Sequence, residues 1–542
     1  MNSKGTIRTS YFSDFMGLWL LVAMVLWFSH EMVWGGKVPF FRDLGPYFYP
    51  IRFSLAESFK AGELPLWDRH MGMGFPLLAD FQSGAIYPPH LLFLILPFFT
   101  AIRAAFLFHY LVAAIGCYLL CRQWKYPPYL AIIGAILFTL GGTIVSLTNL
   151  LNHFQTAVWL PWVIFLWERS LRSGSWKDFL SLTLVLWLQF LAGSPELYAM
   201  AMVLLFLDGL RIQPQGGRIT SRRIFVFLVG ANALAAGLAM IQVLPTVELL
   251  LESRGQFRIP YGEATSWSLH PSSLINLFFL DKEVDTRTGY GMRLFFIRDI
   301  PFMISHYMGA ISLVGVSLWL FYGSRKEKIV LLGLIIISLV MAMGKYTPIY
   351  NFFFQYIPLF SLLRFPEKFF FLTYAFLLFV ALRGVFLFFQ SDDSSSRAPF
   401  LIVSSICVLL FLSYLFFRFE RETLARLLAW ATGTPPLSPS TLKSSSALLV
   451  HLERQIVLTL GILFLFFFGK KGRLRPPVFK TLLISLVFID LNSVHQLYQF
   501  PLNPDPIYKS RKIIEFPDPE PHRLFYYAGD FNLHPSHYFI LR

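Results

Sequence analysis

Apolar residues fall in long blocks separated by short polar or basic stretches, and many blocks approach the roughly 20 residues an α-helix needs to cross a hydrocarbon core. The blocks lie at 14–34, 101–121, 129–148, 155–168, 178–192, 197–210, 224–245, 304–323, 329–344, 368–390, 399–417, 448–469 and 478–491. This pattern predicts an all-α polytopic membrane protein of about 13 transmembrane helices with a long first extracytoplasmic loop. A further apolar stretch, 91–100, is interrupted by Pro97 and followed by Arg103, and predicts an interfacial or re-entrant helix leading into the second span.

Composition agrees with the pattern. Of 542 residues, 56% are hydrophobic, 18% aromatic and only 14% charged. The mean hydropathy is +0.58. A soluble domain of this make-up would need an implausibly apolar surface. The net charge of +15 does not imply a nucleic-acid partner, because the basic residues form small clusters between apolar blocks, as membrane orientation requires. With the N-terminus cytoplasmic, the inner loops carry Arg122 and Lys125, then Arg169, Arg172 and Lys177, then Arg211, Arg218, Arg222 and Arg223. Further along they carry Arg325, Lys326 and Lys328, Arg397, and Lys470, Lys471, Arg473 and Arg475. The outer loops are then 35–100, short turns near Asn149 and Ala192, 246–303, 345–367 and 418–447. Residues 1–492 form the transmembrane domain, and 493–542 a short extracytoplasmic tail. The first block follows Lys4 and Arg8 and lacks a small-residue cleavage site, so it reads as a retained anchor. Cys117, Cys121 and Cys407 sit inside apolar blocks and read as packing residues.

The first outer loop sets Asp43, Glu57, Glu63, Asp68 and Asp80 among Tyr47, Tyr49, Trp67 and Tyr87. Carboxylates can take a hydroxyl proton while aromatic rings cover the apolar face of a sugar. The inner loops are too short for a nucleotide-binding domain, and the chain has no GxxxxGK[ST] phosphate loop. Chemistry on the outer side then calls for a sugar carried by a membrane lipid.

The ordered segments RDLGPYFYPIR, GELPLWDRHMGMGFPLLADFQSGAIYPP, LNHFQTAVWLPWV, LAGSPELY, QVLPTVELLLESR and GKYTPIYNFFFQYIPLFSLLRFPEKFFFL resemble the bacterial YfhO-like membrane proteins. These are similar to the GT-C superfamily of integral-membrane glycosyltransferases. The likeness runs from about Phe15 to about Leu502. Members are generally longer, with an extended outer domain after the last span. The resemblance implies a bacterial cytoplasmic membrane protein that takes a polyprenyl-phosphate-linked sugar as donor. Its acceptor would be an extracytoplasmic envelope glycan, lipid or polymer, for example a teichoic or lipoteichoic acid. It also implies an acidic base early in the first outer loop.

That position is Asp43, which reads on residue type alone as a turn former ahead of Gly45 and Pro46 and through the resemblance as the catalytic base. Glu196, in the Gly-Ser-Pro break of LAGSPELY, is the second catalytic candidate, with capping of the next helix as the competing account. Asn152 and His153 suit sugar or phosphate contacts, or else a hydrated turn. Asp80, Gln82 and Trp67 are acceptor-side candidates, although an acid beside a Gly- and Pro-rich turn is commonly a turn former. Arg364 and Arg254 are the cations expected on the leaving phosphate, because a guanidinium offers paired donors. Lys368 reads instead as an anchor to lipid headgroups. Tyr346 is a candidate sugar platform. No cofactor is assigned; a divalent cation, Mg or Mn, on Asp43 with Glu196 or His153 is left open. Glu31 reads as a snorkelling residue, and 421–428 as an amphipathic helix leading into a Pro-, Ser- and Thr-rich linker.

Two other classes share the same gross pattern. A transporter or flippase of lipid-linked sugars would show interrupted helices and ionisable residues at membrane depth, for which Arg103, His109 and Glu196 are the candidates. A non-catalytic envelope-assembly scaffold would tolerate loss of Asp43.

Overall fold

The computed structural model describes residues 3–69, 74–212, 221–253, 259–277, 302–357, 360–391, 398–420, 422–424, 426, 439–495 and 501–504. The chain opens with α1 (Ser3–Phe28), the single turn α2 (His30–Val33), and a long loop containing α3 (Phe48–Lys60) and α4 (Leu92–Ile95). A hairpin follows, of α5 (Phe98–Gln123) and α6 (Pro128–Leu140), and α7 (Gly142–Leu147) extends its second arm. Pro128 stands in the first turn of α6, where its missing N–H breaks no helical hydrogen bond.

Next come α8 (Leu151–Ala157), α9 (Leu160–Ser173), α10 (Trp176–Leu191), α11 (Pro195–Arg211), α12 (Ser221–Leu238), α13 (Met240–Glu252) and the turn α14 (Tyr261–Ala264). The last third contains α15 (Ala310–Tyr322), α16 (Arg325–Ala342), α17 (Pro348–Tyr356), α18 (Phe370–Gln390), α19 (Ala398–Phe419), α20 (Pro439–Lys470) and α21 (Pro476–His495).

Among the described residues, five stretches are long and apolar enough to cross a membrane: Phe98–Gln123, Pro128–Leu147, Pro366–Gln390, Leu449–Lys470 and Pro476–His495. Ile224–Leu238 and Met240–Glu252 pass the same test only as a pair, bent by 83°. The chain is therefore an all-helical, multi-pass membrane protein, and the thirteen straight spans expected from the apolar blocks are not all present in that form. The block at 224–245 is broken at Ala239. There Gln242 and Thr246 of α13 donate from their side chains to the carbonyls of Leu78 and Ala79, tying α13 to the first loop. The block at 304–323 becomes helical only at Ala310. Before it, the backbone is claimed by tertiary partners: Met303 N–H by Glu367, Ser305 N–H by Ser146, and Tyr307 C=O by Gly142 N–H. Conversely, part of the expected Pro- and Ser-rich linker is helical, because α20 begins at Pro439, in the turn where proline is tolerated. Most of the amphipathic helix expected at 421–428 lies outside the described residues.

One end of the bundle is tied together by ion pairs among the basic clusters. Arg122 holds Asp14 at 2.6 Å, Arg211 and Arg172 both hold Glu168, Arg169 holds Asp178 at 2.7 Å, and Arg383 holds Glu327 at 3.4 Å. Lys470 reaches the Phe388 and Ser391 carbonyls at the end of α18. The first loop lies at the opposite end of α5, where Val38–Pro39 pairs antiparallel with Pro501–Leu502. The start of the first loop and the segment after α21 therefore share one end of the molecule.

The centre is packed by close helix approach. A side chain on Gly315 of α15 would meet the Ala381 carbonyl of α18, and one on Gly384 would meet the Gly315 carbonyl. Small residues let two helices approach this closely where apolar burial alone gives no preference over lipid.

Candidate functional site

The site is assembled at the loop end by three segments that do not touch in sequence. The first is the turn Arg42–Leu44, entered through a left-handed Arg42 at φ 51°. Its guanidinium donates to the Phe302 carbonyl at 2.9 Å and lies 5.1 Å from the Trp267 ring centroid. Asp43 beside it is half-buried, and its carboxylate makes no hydrogen bond or ion pair among the described residues. Burial pushes its pKa up from the ordinary aspartate value, and the neighbouring Arg42 charge only partly opposes this.

The second segment joins 302–307 to the turn before α18. Glu367 is buried; one of its oxygens accepts from Met303 N–H at 3.1 Å and lies 3.2 Å from His306 Nε2. Phe365 takes a left-handed φ of 64° and is pinned by its N–H to the Ala264 carbonyl at 2.7 Å. That backbone turn sends Lys368 inward rather than outward. Only 4% of the Lys368 side chain is exposed, and its ammonium lies 5.1 Å from the Phe365 ring and 5.7 Å from the Phe302 ring. The headgroup anchor expected for Lys368 is thus corrected: a lysine this deep needs a counter-charge, and it has one.

The third segment supplies it. Glu196, in the first turn of α11, accepts from Lys368 Nζ at 2.7 Å. Burial alone would raise its pKa, but Lys368 and then His153 outweigh this and hold it down at about 2. His153, on α8 between two predicted spans, contacts Asn152 Oδ1 through Nδ1 at 2.8 Å. Asn152 donates its amide to the Gly193 carbonyl at 2.9 Å, so its oxygen faces the imidazole and Nδ1 carries the proton. The other ring nitrogen, Nε2, is buried with no hydrogen-bond partner among the described residues. Burial, then the Lys368 charge, push this imidazole down to about 3. Gly193 closes the arrangement at φ 97°, with Phe81 C=O and Gln82 Cα so near that any Cβ would collide.

Asp43, through its neighbour Arg42, and the Glu196, Asn152 and His153 group therefore meet around Phe302. Of the acceptor-side candidates, Gln82 comes near through its backbone, which packs on Gly193, and Asp80 is linked to the Asp43 turn through Tyr47. Asp80 is used in folding the loop: Oδ1 accepts from Gln82 N–H at 3.0 Å and Oδ2 from the Tyr47 hydroxyl at 3.1 Å. Gln82 is exposed, and its carbonyl accepts from the buried Arg52 at 3.3 Å. Trp67 is exposed and lies over Gly74. Arg364 points to the surface, 44% exposed and paired with Glu263 at 2.9 Å. Tyr346 is exposed and edge-on to His270 at 4.9 Å. Arg254 lies outside the described residues. Glu31 pairs with Lys37 at 2.8 Å, and His109 with the Tyr87 hydroxyl at 2.8 Å.

Arg42, Glu367 and His306 were not singled out in the sequence. Two signals could have found the latter two: an adjacent acid and base, Glu367 and Lys368, at the head of the uncharged run 369–382, and a histidine within another block; nothing in the sequence marked Arg42. Among the described residues, no three His, Cys, Asp or Glu side chains converge in a way that could hold a metal ion. The Glu196 carboxylate, which the sequence left open as a ligand of a divalent cation, is here paired with Lys368 at 2.7 Å.

No family model, curated protein or solved structure matches the chain.

Proposed function

We propose that the chain is a GT-C-type glycosyltransferase of a bacterial cytoplasmic membrane. Its N-terminus is cytoplasmic and its loop end extracytoplasmic, and it moves a sugar from a polyprenyl-phosphate donor to an envelope glycan, lipid or polymer. The observation that carries this reading is the Asp43 carboxylate, raised in pKa and without a hydrogen bond among the described residues, beside Arg42 and a group that contains the buried Lys368. Asp43 takes the proton from the acceptor hydroxyl as its oxygen attacks the anomeric carbon, and the lipid phosphate leaves with the bond electrons toward the cations. A base with a raised pKa removes that proton more readily than an ordinary aspartate. Glu196, held ionised by Lys368, is poorly suited to that task.

The resemblance to YfhO-like proteins supports the same reading. The experiment is transfer from a labelled polyprenyl-phosphate hexose to envelope extracts by the full chain in nanodiscs. Asp43→Asn lowers transfer by about 10²–10⁴-fold while the protein stays folded; transfer at the wild-type rate would end the proposal.

The transporter reading draws on a buried ion pair, Arg454 with Asp490 at 2.7 Å, between α20 and α21. Asp490 also accepts from the Ala310 N–H at 2.8 Å and from the Tyr307 hydroxyl. These bonds account for the pair as a brace for the 302–310 segment, which favours the enzyme.

A further inference from the structure

Lys368 is an unusual place to find a satisfied ion pair. Among the described residues, the group faces aromatic rings, its ammonium is paired with Glu196, and the histidine beside it keeps a buried nitrogen without a hydrogen-bond partner. A carboxylate and a phosphate oxygen ask the same of an ammonium: short, charge-assisted N–H···O contacts. Arg364, which has the better fork for phosphate, is at the surface and already holds Glu263.

Resting on the glycosyltransferase reading, we infer that Lys368 is the cation that receives the donor's lipid phosphate and that Glu196 is an internal anion occupying that place until the donor arrives. The exchange makes and breaks only ion contacts. The phosphate replaces the carboxylate on Lys368 Nζ, and the freed Glu196 turns to His153. His153 Nε2 is a bare lone pair in the resting chain; with a second anion in the pocket it takes up a proton from solvent and donates to one of the two. Arg42, which donates to the Phe302 carbonyl, brings a second positive charge to the same cluster, and Glu367 beside Lys368 lies 3.2 Å from His306. The observation that sets Glu196 apart from an ordinary structural carboxylate is this buried nitrogen, without a hydrogen-bond partner among the described residues and near enough for the two groups to influence each other electrostatically.

The test is binding of undecaprenyl monophosphate, without any sugar, to the full chain in nanodiscs by native mass spectrometry. Glu196→Gln keeps the shape and removes the competing charge, so it binds the lipid phosphate at least tenfold more tightly than wild type. Lys368→Arg retains binding and Lys368→Met abolishes it. If Lys368→Met does not fold, the double variant Glu196→Gln/Lys368→Met removes both charges together and must show the same loss.

Equal or weaker binding by Glu196→Gln, or wild-type binding without Lys368, overturns the inference. So does competition by inorganic phosphate at the potency of the lipid, which would assign the place to a soluble anion. The two proposals fail separately. Glu196-controlled binding with no sugar transfer keeps this one and removes the glycosyltransferase, whereas Asp43-dependent transfer with binding indifferent to Glu196 does the reverse.

Discussion

His153 and Glu196 make the loop end sensitive to acid. The imidazole is held near 3 in the folded chain against 6.5 when unperturbed, so between those values the unfolded chain binds the extra proton. Glu196, at about 2 against 4.5, adds to the same trend at lower pH. Both contributions are present at neutral pH, and both diminish on acidification: the histidine's below about 6.5 and the glutamate's below about 4.5. The melting temperature in detergent is expected to fall steadily from pH 7 to pH 4. His153→Asn, which cannot titrate, flattens the upper part of that fall; an unchanged slope would remove His153 as its source. Gly193 gives a second expectation at this scale. Gly193→Ala places a methyl group against Phe81 C=O at a φ disfavoured for L-residues, and costs about 1–3 kcal/mol. Urea or thermal denaturation checks this, and the variant also loosens the Asn152 contact that orients His153.

Among the helices, the α15–α18 contact is the most demanding, because backbone meets backbone. Gly384→Val drives a branched side chain into the Gly315 carbonyl, and the expected loss is about 1–3 kcal/mol or more, seen as aggregation or a lowered melting temperature on size exclusion. Gly333→Ala in α16 is the control: nothing lies within 4 Å of the added carbon, so stability is expected to hold or rise slightly. A tolerated Gly384→Val would mean that these helices do not approach as described. The helices themselves were legible from the apolar blocks, since α5, α6 with α7, α18, α20 and α21 coincide with predicted spans to within a few residues, apart from the first turns of α20. The break at Ala239 was not legible. It depends on Gln242 and Thr246 finding the carbonyls of Leu78 and Ala79, partners more than 160 positions away. Glu196, Asn152 and His153 stood out in the sequence as polar residues at breaks between apolar blocks, and the structure does bring these three together, whereas Asp43 was singled out only through the resemblance, since by residue type it reads as a turn former. Lys368 was read the wrong way round, since only the left-handed turn at Phe365 decides whether a lysine at a helix end faces lipid or protein.

Across the whole molecule, the ion pairs at one end and the β1–β2 pairing of Val38–Pro39 with Pro501–Leu502 at the other define a polarity that can be measured. Cysteines at Leu64 and at Ser173, both exposed, are expected to react oppositely with a membrane-impermeant maleimide in intact cells: Leu64→Cys labels and Ser173→Cys labels only after lysis. Labelling of both from outside would contradict the arrangement.

The helix α21 also fastens the 302–310 segment, which contributes to the site. Asp490 grips Ala310 and Tyr307, His495 contacts Ser305 and the Leu140 carbonyl, and seven residues further on Leu502 pairs with Val38. A ribosome making this protein therefore releases the front half of the pocket long before the clasp that holds it exists. Maturation waits until residues 490–502 have been made, and nascent chains stopped short of residue 490 should insert into the bilayer yet remain protease-sensitive at the first loop.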